Sequence, residues 1–258
     1  MVFLIRQGKS RVAGLLAENG CTISDHSLPY AMYRPMTGTE LNRILTSARL
    51  GKKITRDEAL SFKTMLLLAL GEEYARRGWV MQLHFGVQRN LNTRLYRSFG
   101  PDAGGDAISG TGSAEELALL LDHLDRRNAL PKTVLYSLNP SDNAAICTVM
   151  GSFQEGPVRG KLQQGSAWWF NDNRSGMEDQ MTTLASMGLL SAFVGMLTDS
   201  RSFVSYARHG YFRRILCNIL GKWVENGEYP DDDRLLSRIV RGICLQNAVD
   251  YFGFGEYM

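Results

Sequence analysis

The chain has 258 residues, 44% of them apolar, with 29 basic against 26 acidic, a composition that can bury a large core in a single domain, 1–258. The net charge of +3 comes from dispersed lysines and arginines rather than a basic stripe with aromatic partners, which argues against nucleic acid as a partner. The longest strongly apolar run, 65–70, is far short of the ~20 residues that cross a bilayer, the opening MVFLIRQGKSR lacks a secretory cleavage site, and the four cysteines form no C-x-x-C pair, so a cytoplasmic protein without membrane, zinc knuckle or disulfide framework is expected.

In chain order, residues 8–19 carry Val12, Leu15 and Leu16 at helical spacing, an expected inward face, and stop at Gly20. A short strand over 21–24 leads into Asp25-His26, a pair that serves a turn or helix cap as readily as a site. Residues 27–53 are broken by Pro29, Pro35, Gly38 and Gly51, with a short helix over 40–49. Thr55 and Glu58 have the hydroxyl and carboxylate spacing of a capping box, opening a long helix to Arg77 that Gly78 ends. The second strand is VMQLH, 80–84, and His84 stands at its carboxyl end, where a lone histidine is either a hydrogen-bonded rim residue or a ligand.

The loop from there to Gly112 is long and polar and includes GPDAGGDAISG, a length that marks a functional or mobile segment. Ser113 and Glu116 repeat the capping-box spacing before a leucine stripe of core type, and TVLYSL, 133–138, is the third strand. Asn139-Pro140 then opens a helix to about Met150. A fourth strand, 161–167, runs into Trp168-Trp169-Phe170, where Trp168 either plugs the strand end or stacks on a ligand. Ser175 and Glu178 form a third capping-box pair, and 192–197 is a fifth strand ending on Thr198-Asp199-Ser200-Arg201. An Asp-x-Arg pair by itself is commonly a surface ion pair. Helices over 203–223 and 231–251, the latter with Leu235, Ile239 and Ile243 inward, complete the chain.

Five short strands alternating with helices signal βα units and a parallel sheet. Four of the five carry polar or aromatic residues at the carboxyl end, namely Asp25, His84, Trp168, and Asp199 with Arg201, which is where α/β folds build their sites. The expected fold is α/β of the (β/α)8 barrel type, with the last five units present and three amino-terminal ones absent.

Three stretches, LPKTVLYSLNPSDN, GSAWWFNDNRSGMEDQM and FVGMLTDSRSFVSYARHGYFRRILCNILG, resemble the uronate (glucuronate) isomerases of the amidohydrolase superfamily, and WVMQLHFGVQRNLNTR and GPDAGGDAI extend the likeness over residues 20–253. The resemblance implies interconversion of D-glucuronate with D-fructuronate, and of D-galacturonate with D-tagaturonate, on a divalent metal such as zinc. It implies catalytic roles for Asp199, Arg201, His84 and Asp25, with Asp199 also approaching the metal, and a substrate-binding role for Arg201 and Trp168. Such chemistry asks for a base at a carbon acid and a cation for the enediolate charge. The amino-terminal H-x-H pair that supplies metal ligands in that family has no counterpart among His26, His84, His123 and His209. The chain is therefore expected to hold metal weakly and to be inactive by itself unless another chain supplies the front of the barrel, with a homo-oligomer or a complementing amino-terminal chain as the expected partner. Two alternatives are a non-catalytic remnant that binds uronates weakly and a metal-dependent hydrolase of the same superfamily.

Overall fold

The computed structural model describes residues 2–110, 112–200 and 202–257. Helix α1 (Val2–Glu18) precedes strand β1 (Ile23–Ser27), and α2 (Gly38–Arg49) and α3 (Arg56–Arg77) carry the chain back to β2 (Val80–Phe85). The long polar loop contains a two-residue strand β3 (Val87–Gln88), a short helix α4 (Thr93–Phe99) and strand β4 (Ala107–Ile108). Next come α5 (Ala114–Asp125), β5 (Thr133–Ser137), α6 (Asn143–Gly151), β6 (Leu162–Gln164) and α7 (Arg174–Met187). Helices α8 (Ala207–Glu225), α9 (Asp233–Arg241) and α10 (Asn247–Phe252) follow, the last two joined by a π-helical turn over Gly242–Gln246.

Strands β1, β2, β5 and β6 lie side by side in that order, every neighbouring pair parallel, while β3 and β4 form a small antiparallel ribbon. Successive side chains on a strand face opposite ways. Met81, Leu83, Phe85, Leu135 and Leu162 therefore pack with Leu67 and Leu68 of α3, the leucine stripe of α5 and Ile146 of α6. Burying each such leucine or isoleucine contributes ~1.5–3 kcal/mol, so this layer dominates the core. The opposite face carries Val80, Val134 and Tyr136, which pack with Trp168, Val194 and Tyr251.

Four strands form the sheet, not five. Leu190–Ala192 is a 3-10 turn, and residues 193–200 continue without ladder pairing. Gly195 adopts φ +84, in the left-handed region, and a side chain there would overlap the Ile243 carbonyl. Side chains replace the ladder: Gln163 Nε2 donates to the Ala192 carbonyl at 2.9 Å, Asn247 Nδ2 to the Phe193 carbonyl at 2.8 Å, and the Leu197 amide to Ser166 Oγ at 3.1 Å. The expected inward face of the first helix is reversed as well. Val12, Leu15 and Leu16 are exposed, and the small Ala13 is the residue buried in the core cluster. Among the described residues no helix is long and apolar enough to cross a membrane.

Candidate active site

The strand register gathers the polar residues on one face, with His84 and Tyr136 next to last in their strands. Asp25 pairs with Gln82 across β1 and β2, and His84 pairs with Tyr136 across β2 and β5. All four side chains share the face turned away from the helices. Asp25 Oδ1 lies 2.7 Å from His84 Nδ1. An ionised carboxylate is acceptor-only, so Nδ1–H is the donor in this contact. His84 is buried whereas the Asp25 side chain is 52% exposed, and Nε2 has no hydrogen-bond partner.

Two aromatic rings fix the imidazole. Tyr136 stacks on it with ring centroids 4.2 Å apart and planes 6° from parallel, and Trp168 meets it edge-on at 4.7 Å. Gly165 permits this arrangement, because a Cβ at that position would run into the Tyr136 ring. Tyr136 Oη donates to Gln82 Oε1 at 2.8 Å. Burial, then the charges of Asp25 and Asp199, push the Tyr136 phenol well above its usual value, so it remains a neutral donor.

Asp199 is exposed, with φ +45, and its effect on Tyr136 places its charge within electrostatic reach of the pair. The turn that carries it is tied down from α8. Arg208 donates from Nη1 to the Thr198 carbonyl at 3.2 Å and forms an ion pair with the buried Asp172. One guanidinium thereby links the Asp199 turn to the loop that holds Trp168. Trp168, expected to wall a sugar, is 4% exposed and meets His84 edge-on. The ring surface open to solvent belongs to Trp169 and Phe170, with the Arg89 guanidinium 5.0 Å from the Trp169 ring. Arg201 lies outside the described residues.

A glucuronate isomerase family model matches residues 5–252. The chain belongs to the glucuronate isomerase family. It is 55% identical over 235 residues to a uronate isomerase of Lachnoclostridium phytofermentans, covering 91% of this chain and 50% of that protein. A crystal structure of uronate isomerase from Thermotoga maritima superposes with a TM-score of 0.83 at 33% identity, over 92% of this chain and 50% of that one. For glucuronate isomerase from Caulobacter crescentus the TM-score is 0.85 at 25% identity, over 97% and 50%. The chain spans about half the length of the curated relatives it matches.

The donor set of this family member does not by itself fit a divalent metal. Among the described residues no three His, Cys, Asp or Glu side chains gather where they could hold an ion. His84 Nδ1 is engaged by Asp25, His26 Nε2 is turned toward the helices, 3.0 Å from Tyr74 Oη, and His123 Nδ1 lies 3.0 Å from Tyr33 Oη.

Sequence reasoning missed Tyr136, Gln82, Gly165 and the Asp172–Arg208 pair. The first two sit in phase with Val134 and His84 on their strands, so period-2 alternation carried a signal for them. Gly165, a glycine inside a strand-like stretch, marked a close approach. Nothing local announces a pair separated by 36 positions.

Proposed function

We propose that this chain, read as one domain that forms the carboxyl-terminal portion of a (β/α)8 barrel, supplies one side of a uronate isomerase active site. The reaction is the aldose–ketose isomerisation of D-glucuronate to D-fructuronate and of D-galacturonate to D-tagaturonate. The observation that carries this reading is the buried His84, held by Asp25 and stacked on Tyr136 at the strand ends, in a chain of this family.

In the forward direction a base removes the proton from C2 of the open-chain aldose, and the C2–H electron pair forms the C1–C2 double bond of an enediolate. Electron density moves onto the C1 oxygen. Reprotonation at C1, with the C2 hydroxyl proton passing to the C1 oxygen as the C2 carbonyl forms, then gives the ketose, with atoms and electrons conserved. Asp199, an exposed carboxylate on a short tether, is the proposed proton carrier, and Arg201 the cation that offsets enediolate charge and grips the substrate carboxylate. Asp25 keeps His84 in one tautomer, so that Nε2 can accept a substrate hydroxyl proton. Trp168 and Tyr136 hold the ring in place. The remaining barrel strands and the metal ligands belong to the half of the relatives' length that this chain does not cover.

The test is isomerisation of D-glucuronate followed by proton NMR in deuterated buffer. It uses the chain alone and the chain mixed with a polypeptide spanning the amino-terminal half of a family member, with a divalent metal added. Turnover in at least one of these samples, reduced about 10²–10⁴-fold by Asp199→Asn, is the expected result. Turnover untouched by Asp199→Asn, or none in either sample while circular dichroism reports a folded chain, overturns the reading.

A further inference from the structure

At the opposite end of the sheet from His84 lies a second concave site. Arg159 precedes β6 and Ser191 precedes the 193–197 segment, so both sit at the amino-terminal side of the sheet. Together with α9 and the π-helical turn after it, they line an open cleft of about 790 Å³, within the range that small ligands occupy. Arg234, Arg238 and Arg241 stand four and then three residues apart on α9 and so share one helix face, and all three line this cleft.

The cleft is net positive, with four arginines against one acid. Among the described residues none of these four arginines forms an ion pair, although ion pairs are frequent elsewhere, as in Arg34–Glu116 and Arg127–Glu72. Arg159 Nη2 donates to Ser191 Oγ at 2.6 Å, and both residues line the same cleft as the α9 arginines. The one acid lining the cleft, Asp250, accepts from Gln246 Nε2 at 2.8 Å. The π turn is an independent mark of the same place. Gly242 and Gln246 bound it and line the cleft, and such turns interrupt the helix ladder mostly where a site needs the backbone re-aimed.

We propose that this cleft binds a small polyanion carrying two or more phosphate or carboxylate groups. Guanidinium forks grip such groups bidentately, and four of them from two elements suit two anionic groups held a short distance apart. Mutual repulsion among the arginines is relieved when the anion enters. The proposal does not depend on isomerase activity, and its test reads binding alone.

Isothermal titration calorimetry of the full chain with inorganic pyrophosphate, and separately with citrate, decides the matter and separates the phosphate source from the carboxylate source. Saturable one-to-one binding of at least one of them is expected, weakened about tenfold or more by Arg238→Gln and by Arg241→Gln, a loss of roughly 1.4 kcal/mol each. Arg97→Gln, which removes an exposed arginine on α4, leaves it unchanged. These residues are exposed, so the variants keep the fold, checked by their melting temperatures. Absence of saturable binding of both anions, an equal loss in Arg97→Gln, or a single-stranded oligonucleotide that displaces pyrophosphate at lower concentration would overturn the proposal.

Discussion

His84 shows how much of a side chain's behaviour is decided by its contacts. Its imidazole touches a carboxylate at one nitrogen, a stacked phenol on one face and an indole edge, and the phenol reaches that position only because residue 165 has no side chain. Gly165→Ala is therefore expected to destabilise the protein by about 1–3 kcal/mol, the range for forcing a methyl into a filled site, and to lower turnover of the complemented enzyme with it. Gly151→Ala, where a Cβ meets open space, is the matched control, and urea denaturation of both variants checks the difference. A near-zero effect at 165 would mean that the Tyr136 ring moves aside freely and does not position His84. The residue types at this site were visible in the sequence, although Asp25, expected just after a strand over 21–24, lies in the middle of β1, and His84 is next to last in β2. That they meet was not, because their pairing depends on a register across 59 positions.

At the scale of elements, the capping boxes separate local from tertiary control. Thr55 and Glu58 close the predicted box at the start of α3, and Thr37 and Glu40 form another, unpredicted, at α2. Ser113 and Glu116 have the same spacing but no capping bond. Ser113 Oγ accepts the Ala31 amide at 3.1 Å, and Glu116 reaches the Tyr33 amide at 2.9 Å and the Arg34 guanidinium. These two residues staple the chain after β1 to α5. At α7 the cap is Asn173, which accepts the Gly176 amide, and Glu178 pairs with Arg174. Thr55→Ala should lower the thermal midpoint by about 2–4 °C, the usual cost of an exposed N-cap in a protein of this size. Ser113→Ala should cost more, roughly 1–3 kcal/mol, because it strands a buried amide. Equal effects in calorimetry would indicate that Ser113 acts only as a local cap.

Across the whole molecule, three histidines set the acid limit. Burial lowers His26, His123 and His209, against the partial opposition of Asp25 at His26 and with help from Arg127 at His123 and Arg213 at His209. A histidine with a lowered folded value is neutral in the native state while the unfolded chain still takes up its proton. Its stabilisation is therefore complete above about pH 6.5 and is lost as pH falls from there toward the folded values. The denaturation midpoint is expected to drop between pH 7 and pH 5, with a shallower slope in His26→Gln. A slope unchanged in that variant would shift the cause to the other two. Global packing also explains the lost fifth strand: Gly195 lies against the Ile243 carbonyl of the π turn, so 193–197 follows the contour of the carboxyl-terminal helices rather than a sheet ladder.

The sequence by itself determined the longer helices and the four paired strands near 23, 80, 133 and 162, since periodicity, glycine stops and local capping act over a few residues, but not α4 or the π turn within the last helical stretch. It also determined the family likeness, carried by continuous motifs. Only the tertiary structure decided that α1 exposes Val12, Leu15 and Leu16, that Ser113 bonds across the fold, that Trp168 braces His84, and that four arginines face one cleft. Each of these depends on which surfaces meet, and burial energy is assigned by contacts between segments far apart in the chain, which no local pattern encodes.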